Sequence, residues 1–250
     1  MNEIQVIILA AGKGTRLNNG QPSEKPKVLY EICGKPMIAY TLKTLQRGGF
    51  TNIIVVLGYK KEEVEKILPP NIKVAIQKEQ KGTGDAVLAA KPYIDEKIKF
   101  VLVLNGDDTA FLKPKTLKKL IKTHLEDKNK VTFISVLRSN PTGFGRIKRN
   151  KKGKIIAIVE EKEANRKEKQ IKETNTGIYV FDKKWLFENL PKISVSLSGE
   201  YYLTDIIELA IKNKERVEAI IEKDENQFIG INTPQQLQYA NELMAKILQS

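Results

Sequence analysis

Four cations and three glycines crowd the stretch "LAAGKGTRLNNGQPSEKPKVL" from Leu9 to Leu29, a mixture of residue types suited to holding phosphate. Gly12 and Gly14 leave backbone N–H groups open to phosphate oxygens, and Lys13, Arg16, Lys25 and Lys27 can offset charge that builds during phosphoryl or nucleotidyl transfer. Two common phosphate-binding designs do not fit. The Walker pattern needs Gly-Lys followed by Ser or Thr, whereas Gly14 follows Gly12-Lys13, and the dinucleotide fingerprint needs a third small residue where Leu17 stands. What is left is a loop with no helix inside it that grips phosphate, or else a solvated surface loop.

Three further stretches carry candidate chemistry of their own. In "QKEQKGTGDA", Gln77 and Gln80 offer amides, and Gly82, Thr83 and Gly84 open a helix. An amide sets a donor beside an acceptor, which suits the edge of a nucleobase; the alternative is an ordinary loop. In "NGDDTAF", Asp107 follows an apolar run, where a carboxylate can hold magnesium against phosphates because that ion keeps most of its water. Asp108 reads equally well as a capped turn. Asn232 in "FIGINTP" can add a second oxygen or serve as a turn residue or helix cap.

Placing these groups falls to an alternation of short elements. Residues 3–9, 52–57, 72–76, 99–104 and 131–136 read as strands, with helices over 36–47, 61–68, 83–91 and 114–127 between them. That order predicts right-handed crossovers and a mainly parallel sheet, whose ligands bind beyond the carboxyl ends of the strands. Past residue 137 the pattern changes to a hairpin over 145–149 and 154–160, a strand over 176–181, helices over 182–190 and 204–213, and a strand over 216–221. A last helix opens at Thr233, a plausible N-cap, with Pro234 at its first position.

Composition narrows the chemistry further. Of the 250 residues 41% are apolar, with no unbroken run near the ~20 needed to span a bilayer, so a soluble protein is expected. The start "MNEIQVIIL" has an acid where a signal peptide carries its basic region, which makes the cytoplasm the default location. Cys33 is the only cysteine, which excludes an intramolecular disulfide and a cysteine metal cluster, and the place of the only histidine, His124, at the polar end of a helix argues against Ser–His or Cys–His mechanisms and histidine zinc sites. A small buried role is expected for Cys33, and a solvated or half-packed one for His124 at the polar end of its helix. The net charge of +13 comes from lysine mixed with glutamate on many segments, which favours phosphorylated substrates over nucleic acid.

Taken together, "LAAGKGTRL", "PKVL", "GKPM", "QKEQKGTGDA", "NGDD", "NPTGFGRI", "VEEKEA", "NTGIYVF", "GEYYLTDII" and "GIN" occur in one order over almost the whole chain. In this the sequence resembles the sugar-nucleotide pyrophosphorylase family, and within it the N-acetylglucosamine-1-phosphate uridylyltransferase branch. The resemblance implies an α/β, three-layer Rossmann-like nucleotidyltransferase fold with a mainly parallel mixed sheet, a small β-hairpin subregion for the sugar and a C-terminal helix. It implies one domain over 1–250, with a nucleotide-binding half (1–136), a sugar-binding half (137–232) and the last helix (233–250) as the element open to an oligomer contact.

It also implies a reaction in which a sugar-1-phosphate oxygen attacks the α-phosphorus of UTP in line, forming a UDP-sugar, UDP-N-acetylglucosamine by preference, and pyrophosphate. Carried over by motif, Leu9, Ala10, Ala11 and Gly12 contact the nucleotide, and Arg16 and Lys27 steady the phosphates. Gln77, Gly82 and Thr83 read uracil, and Asn105, Gly106 and Asp107 line the site. Gly145, Glu160 and Asn175 hold the sugar, with Lys162 a further candidate for its phosphate. Magnesium is implied as cofactor, on Asp107 and Asn232. Two departures stand out: the loop between Arg16 and Pro26 is longer than in the bifunctional members, and their left-handed β-helix repeats are missing, so no acetyltransferase activity is expected. Transferases using glucose-1-phosphate or another nucleoside triphosphate, and non-catalytic nucleotide- or nucleic-acid-binding modules, are the rival readings.

Overall fold

The computed structural model describes residues 1–14, 17 and 24–249. Strand β1 (Ile4–Ala10) runs parallel to both β4 (Ile53–Leu57) and β6 (Phe100–Asn105), so neither of its edges is free. Its two faces are covered as well: Val6, Ile8 and Ala10 point into one core and Ile7 into the other. A strand buried in this way reads as a continuous apolar run rather than an alternating one, as "IQVIILA" does.

Beyond β4 lies β5 (Lys73–Ile76), again parallel. On the other side, β10 (Glu173–Asp182) runs antiparallel to β6 and to β7 (Val131–Leu137), and β11 (Val217–Glu222) closes that edge parallel to β7. The spatial order is β11-β7-β10-β6-β1-β4-β5, and the hairpin of β8 (Arg146–Arg149) and β9 (Ile155–Val159) branches from β10 where Thr174 pairs with Arg146. Among these main-path strands only β10 runs against its neighbours, which gives the expected mainly parallel mixed sheet.

Helices cover both faces, making three layers. α1 (Met37–Gly48), α2 (Lys61–Glu65) and α4 (Pro114–Glu126) place Ile38, Leu45, Val64, Leu117 and Leu120 in one core. α3 (Thr83–Ala90), α5 (Lys183–Asn189) and α6 (Asp205–Lys212) place Val87, Leu186 and Ile206 in the other. A third cluster joins Ala240 and Met244 of α7 (Pro234–Gln249) to Ile32 and Met37 beside a two-residue hairpin, β2 (Glu31–Ile32) with β3 (Lys35–Pro36). Thr233 caps α7 as expected: its hydroxyl accepts the Gln236 N–H at 3.2 Å while the Gln236 side chain accepts the Thr233 N–H at 3.1 Å, a reciprocal capping box.

Several expectations need correction. The helix over 61–68 ends at Glu65, because Pro69-Pro70 lies just ahead and the last turn closes through i to i+3 bonds from Ile67 and Leu68. The strand over 176–181 begins at Glu173, whose buried carboxylate is paired with Arg149 and Ser135. A 3-10 turn, Lys27–Leu29, follows Pro26 in the loop read as free of helix. His124 is buried, not solvated: it shares the stripe of Leu117, Leu120 and Ile121, bonds the Thr132 hydroxyl at 3.0 Å, and is pushed down to about 4 by burial. Cys33 is half-buried at the left-handed tip of the β2–β3 hairpin, with φ 47°, and its thiol donates to the Asn241 carbonyl.

Candidate active site

The carboxyl ends of β1, β5 and β6, with the Asn175–Tyr179 stretch of the antiparallel β10, open onto one cleft with two lobes. The first lobe is floored by the backbone that leaves β1. Leu9, Ala10, Ala11 and Gly12 line it together with Lys13, and Gln77, Gly82 and Thr83 face them from the end of β5 and the start of α3. Gly14 takes φ +67°, and a Cβ there would lie 3.2 Å from the Lys27 Cβ, so glycine lets the two strands of the loop close together. Gly106, expected to line the site, sits behind it and ties β6 to β1 through its N–H to the Leu9 carbonyl at 2.9 Å. Arg16 lies outside the described residues.

Gln77 is 5% exposed and its orientation is settled by its neighbours. Both amide hydrogens go to acceptors, the Gly82 carbonyl at 2.9 Å and the Asp85 carboxylate at 2.8 Å. Only the side-chain carbonyl oxygen is left to meet a ligand, so this residue acts as an acceptor.

The lobes meet at Lys27, Asp107 and Asn232. The Lys27 ammonium donates to the Asp107 carboxylate and, at 2.8 Å, to the Asn232 side-chain oxygen, with only 13% of the lysine and 23% of the aspartate exposed. Asn232, 205 positions from Lys27 in sequence, thus converges with Asp107 on that cation. Behind them Asn105 donates to Asp108 at 3.2 Å, and burial together with Asp107 holds the Asp108 carboxyl well above the usual carboxylate range. Asp108 also lines the second lobe, a part its reading as a turn cap did not include.

The second lobe is built on a break in β10. The register with β7 shifts between Asn175 and Tyr179, and Gly177 takes φ +75° with no room for a Cβ against the Asn105 amide. This bulge turns Asn175 into the lobe, where its amide donates to the Tyr179 hydroxyl at 2.5 Å. Gly145 is held by its carbonyl, which accepts the Asn175 N–H at 2.9 Å, and the turn before it is clamped by Glu161, which accepts the Gly143 N–H and pairs with the buried Arg146. Glu160 completes the wall; burial raises its carboxyl, partly opposed by the Thr204 hydroxyl that donates to it at 2.9 Å. Lys162 is not brought in: it is 67% exposed and pairs with Glu200 at 2.7 Å.

The segment Glu200–Thr204 stitches the lobes together, which accounts for "GEYYLTD". The Tyr201 N–H donates to the Lys81 carbonyl at 2.7 Å, the Tyr201 carbonyl accepts the Gly84 N–H at 2.8 Å, and the Leu203 N–H reaches the Thr83 hydroxyl at 2.9 Å. Tyr202, Leu203 and Thr204 then line the second lobe. Sequence reasoning missed Thr204 and Tyr202; the signal was their place between a glycine-containing turn and a helix start.

A profile of the family described as nucleotidyl transferase matches residues 5–240. The chain belongs to that family. Among curated relatives, "Bifunctional protein GlmU" of Carboxydothermus hydrogenoformans is 46% identical over 92% of this chain and 50% of its own length. The protein of the same name from Clostridioides difficile is 40% identical over 97% of this chain and 52% of its own. The chain therefore spans about half the length of the curated relatives it matches. A crystal structure of a Bacillus anthracis protein assigned as a glucose-1-phosphate thymidylyltransferase, in complex with a sucrose, superposes with TM-score 0.79 at 22% identity, covering 96% of this chain and 94% of that one. It shares the nucleotidyltransferase fold. Among the described residues no helix is long and apolar enough to cross a membrane.

Proposed function

We propose that this chain transfers a uridylyl group from UTP to N-acetylglucosamine-1-phosphate, releasing pyrophosphate, in one domain in the cytoplasm. The observation that carries the reading is the two-lobed cleft whose halves meet at Lys27, Asp107 and Asn232, the arrangement needed to bring a nucleotide and a second phosphate ester together in line. Identity to the GlmU relatives of 39–46% over nearly the whole chain supports the choice of sugar and base.

The nucleotide takes the first lobe. Leu9 to Gly12 present backbone to it, and the acceptor-only Gln77 suits the N3–H of uracil, whereas cytosine has an acceptor at that position. Arg16 and Lys27 steady the triphosphate and the charge that spreads over the α-phosphate oxygens as the bond to pyrophosphate breaks. Asn105 positions the floor between the lobes, with Gly106 fixing its height, and the sugar hydroxyls and acetamide take Gly145, Glu160 and Asn175. Lys162 contributes only if its pair with Glu200 opens.

A divalent ion fits the residues present. The Asp107 and Asn232 oxygens already converge on one cation, the Lys27 ammonium, and two protein oxygens are enough for magnesium, which keeps most of its water. When bound, that ion would neutralise phosphate charge and orient the α-phosphate.

Pyrophosphate release measured with four nucleoside triphosphates against several sugar phosphates tests the assignment. Best turnover with UTP and N-acetylglucosamine-1-phosphate is expected, and a better pair overturns it. Asp107→Asn is expected to abolish magnesium-dependent turnover while the chain stays folded by circular dichroism.

A further inference from the structure

Arg138 is a buried cation with no hydrogen bond or ion pair to the residues assigned to substrate among the described ones. It leaves β7 with 8% of its surface exposed, its Nη2 donates to the Phe228 carbonyl at 2.5 Å, and its guanidinium lies over the Phe144 ring, 4.0 Å from the centroid. Glu225 at 3.7 Å and the neighbouring Asp108 favour its charge against the desolvation that opposes it. Burying a guanidinium is a poor route to stability, since apolar side chains of similar volume usually serve as well or better.

What this cation does hold is the segment that ends at Asn232. It grips the segment at the Phe228 carbonyl and again through Phe144, whose Cε1 and Cζ lie 3.0 Å from where a Gly230 Cβ would stand, with Asn232 Nδ2 3.3 Å from the same point. Phe144 in turn sits between Gly143 and Gly145 in the turn of the second lobe. We propose that Arg138 is a positioning residue: with Phe144 as its wedge, it sets the placement of Asn232 at the centre of the cleft and of the Gly143–Gly145 turn beside it. The inference rests on the reading of Asp107 and Asn232 as metal-binding oxygens.

The test is direct Mn²⁺ binding to the full chain by electron paramagnetic resonance, with KM values for UTP and sugar phosphate alongside. Arg138→Met and Phe144→Leu are expected to weaken Mn²⁺ binding about tenfold and raise the KM for sugar phosphate, with the KM for UTP within about twofold. Phe144→Tyr, which keeps the ring, should match the wild type. Unchanged Mn²⁺ binding in folded Arg138→Met overturns the inference, as does equal weakening of both substrates; should that variant not fold, the Phe144→Leu and Phe144→Tyr pair decides by the same measure. Asp107→Asn is the control: if it binds Mn²⁺ as the wild type does, the metal reading itself fails and the inference with it.

Discussion

Lys27 stands where a divalent ion is expected to stand, and this leads to a counter-intuitive outcome for Lys27→Met. The ammonium makes two hydrogen bonds, to Asp107 and to Asn232, in a pair less than a quarter exposed on either side. A cation that takes those oxygens must first displace it, forgoing about 1.5–3 kcal/mol of charge-assisted bonding. With methionine that competition is gone, so Mn²⁺ should bind the nucleotide-free variant about 10- to 150-fold more tightly. Turnover should fall about 10²- to 10³-fold, because the same ammonium no longer steadies the triphosphate. Part of any tightening reflects loss of a nearby positive charge, and Lys13→Met measures that part: Lys13 lines the first lobe with its charge set in solvent, where screening limits its reach. The assay is the free Mn²⁺ signal during titration of each protein without nucleotide. Mn²⁺ binding by Lys27→Met that is no tighter than that of Lys13→Met refutes the displacement argument.

Three other perturbations give distinct readouts. Gly82→Ala places a Cβ 2.5 Å from the Tyr201 carbonyl oxygen at a φ of +110°, and the strain and overlap of about 2–5 kcal/mol should lower the melting temperature by roughly 5–15 °C; an unchanged midpoint would show that the turn yields freely. Thr204→Val removes the hydroxyl that lowers the Glu160 carboxyl, so its protonation moves up in pH and the KM for sugar phosphate should begin to rise at a higher pH than in the wild type, while Thr204→Ser behaves normally; superimposable pH profiles for all three would contradict this. His124 is held neutral down to about 4 while the unfolded chain protonates near its ordinary value of 6.5, so the unfolded state binds more protons between these limits. Stability should therefore be full above pH 6.5 and fall by about 3 kcal/mol towards pH 4, a slope that urea melts of His124→Gln should lack.

That the glycine-rich loop after β1, the acid after β6 and the amides after β5 share one cleft was legible because each follows an apolar run, and a parallel sheet brings such strand ends to one edge. Gly106 illustrates the limit: its neighbours in sequence line the cleft, but a residue one step further along a strand end turns behind it, and only the register of β6 on β1 decides which. Thr204, Phe144 and Arg138 were not legible, since each acts through a partner 44, 86 or 90 positions away and carries no local pattern of its own. His124 was misread because charged residues surround it in sequence, although its spacing from Leu117 and Leu120 puts it on the apolar stripe.

The placement of β10 bears on how the chain is made. β7 follows α4 in sequence yet does not lie against β6; β10, completed only at Asp182, fills the position between them. As the chain leaves the ribosome, the "FVLVLN" edge of β6 therefore waits through some eighty residues of synthesis with its backbone groups unpaired. A nascent chain stalled before Asp182 would present an apolar strand edge in search of a partner, which makes that interval the one in which chaperone capture or aggregation competes with folding.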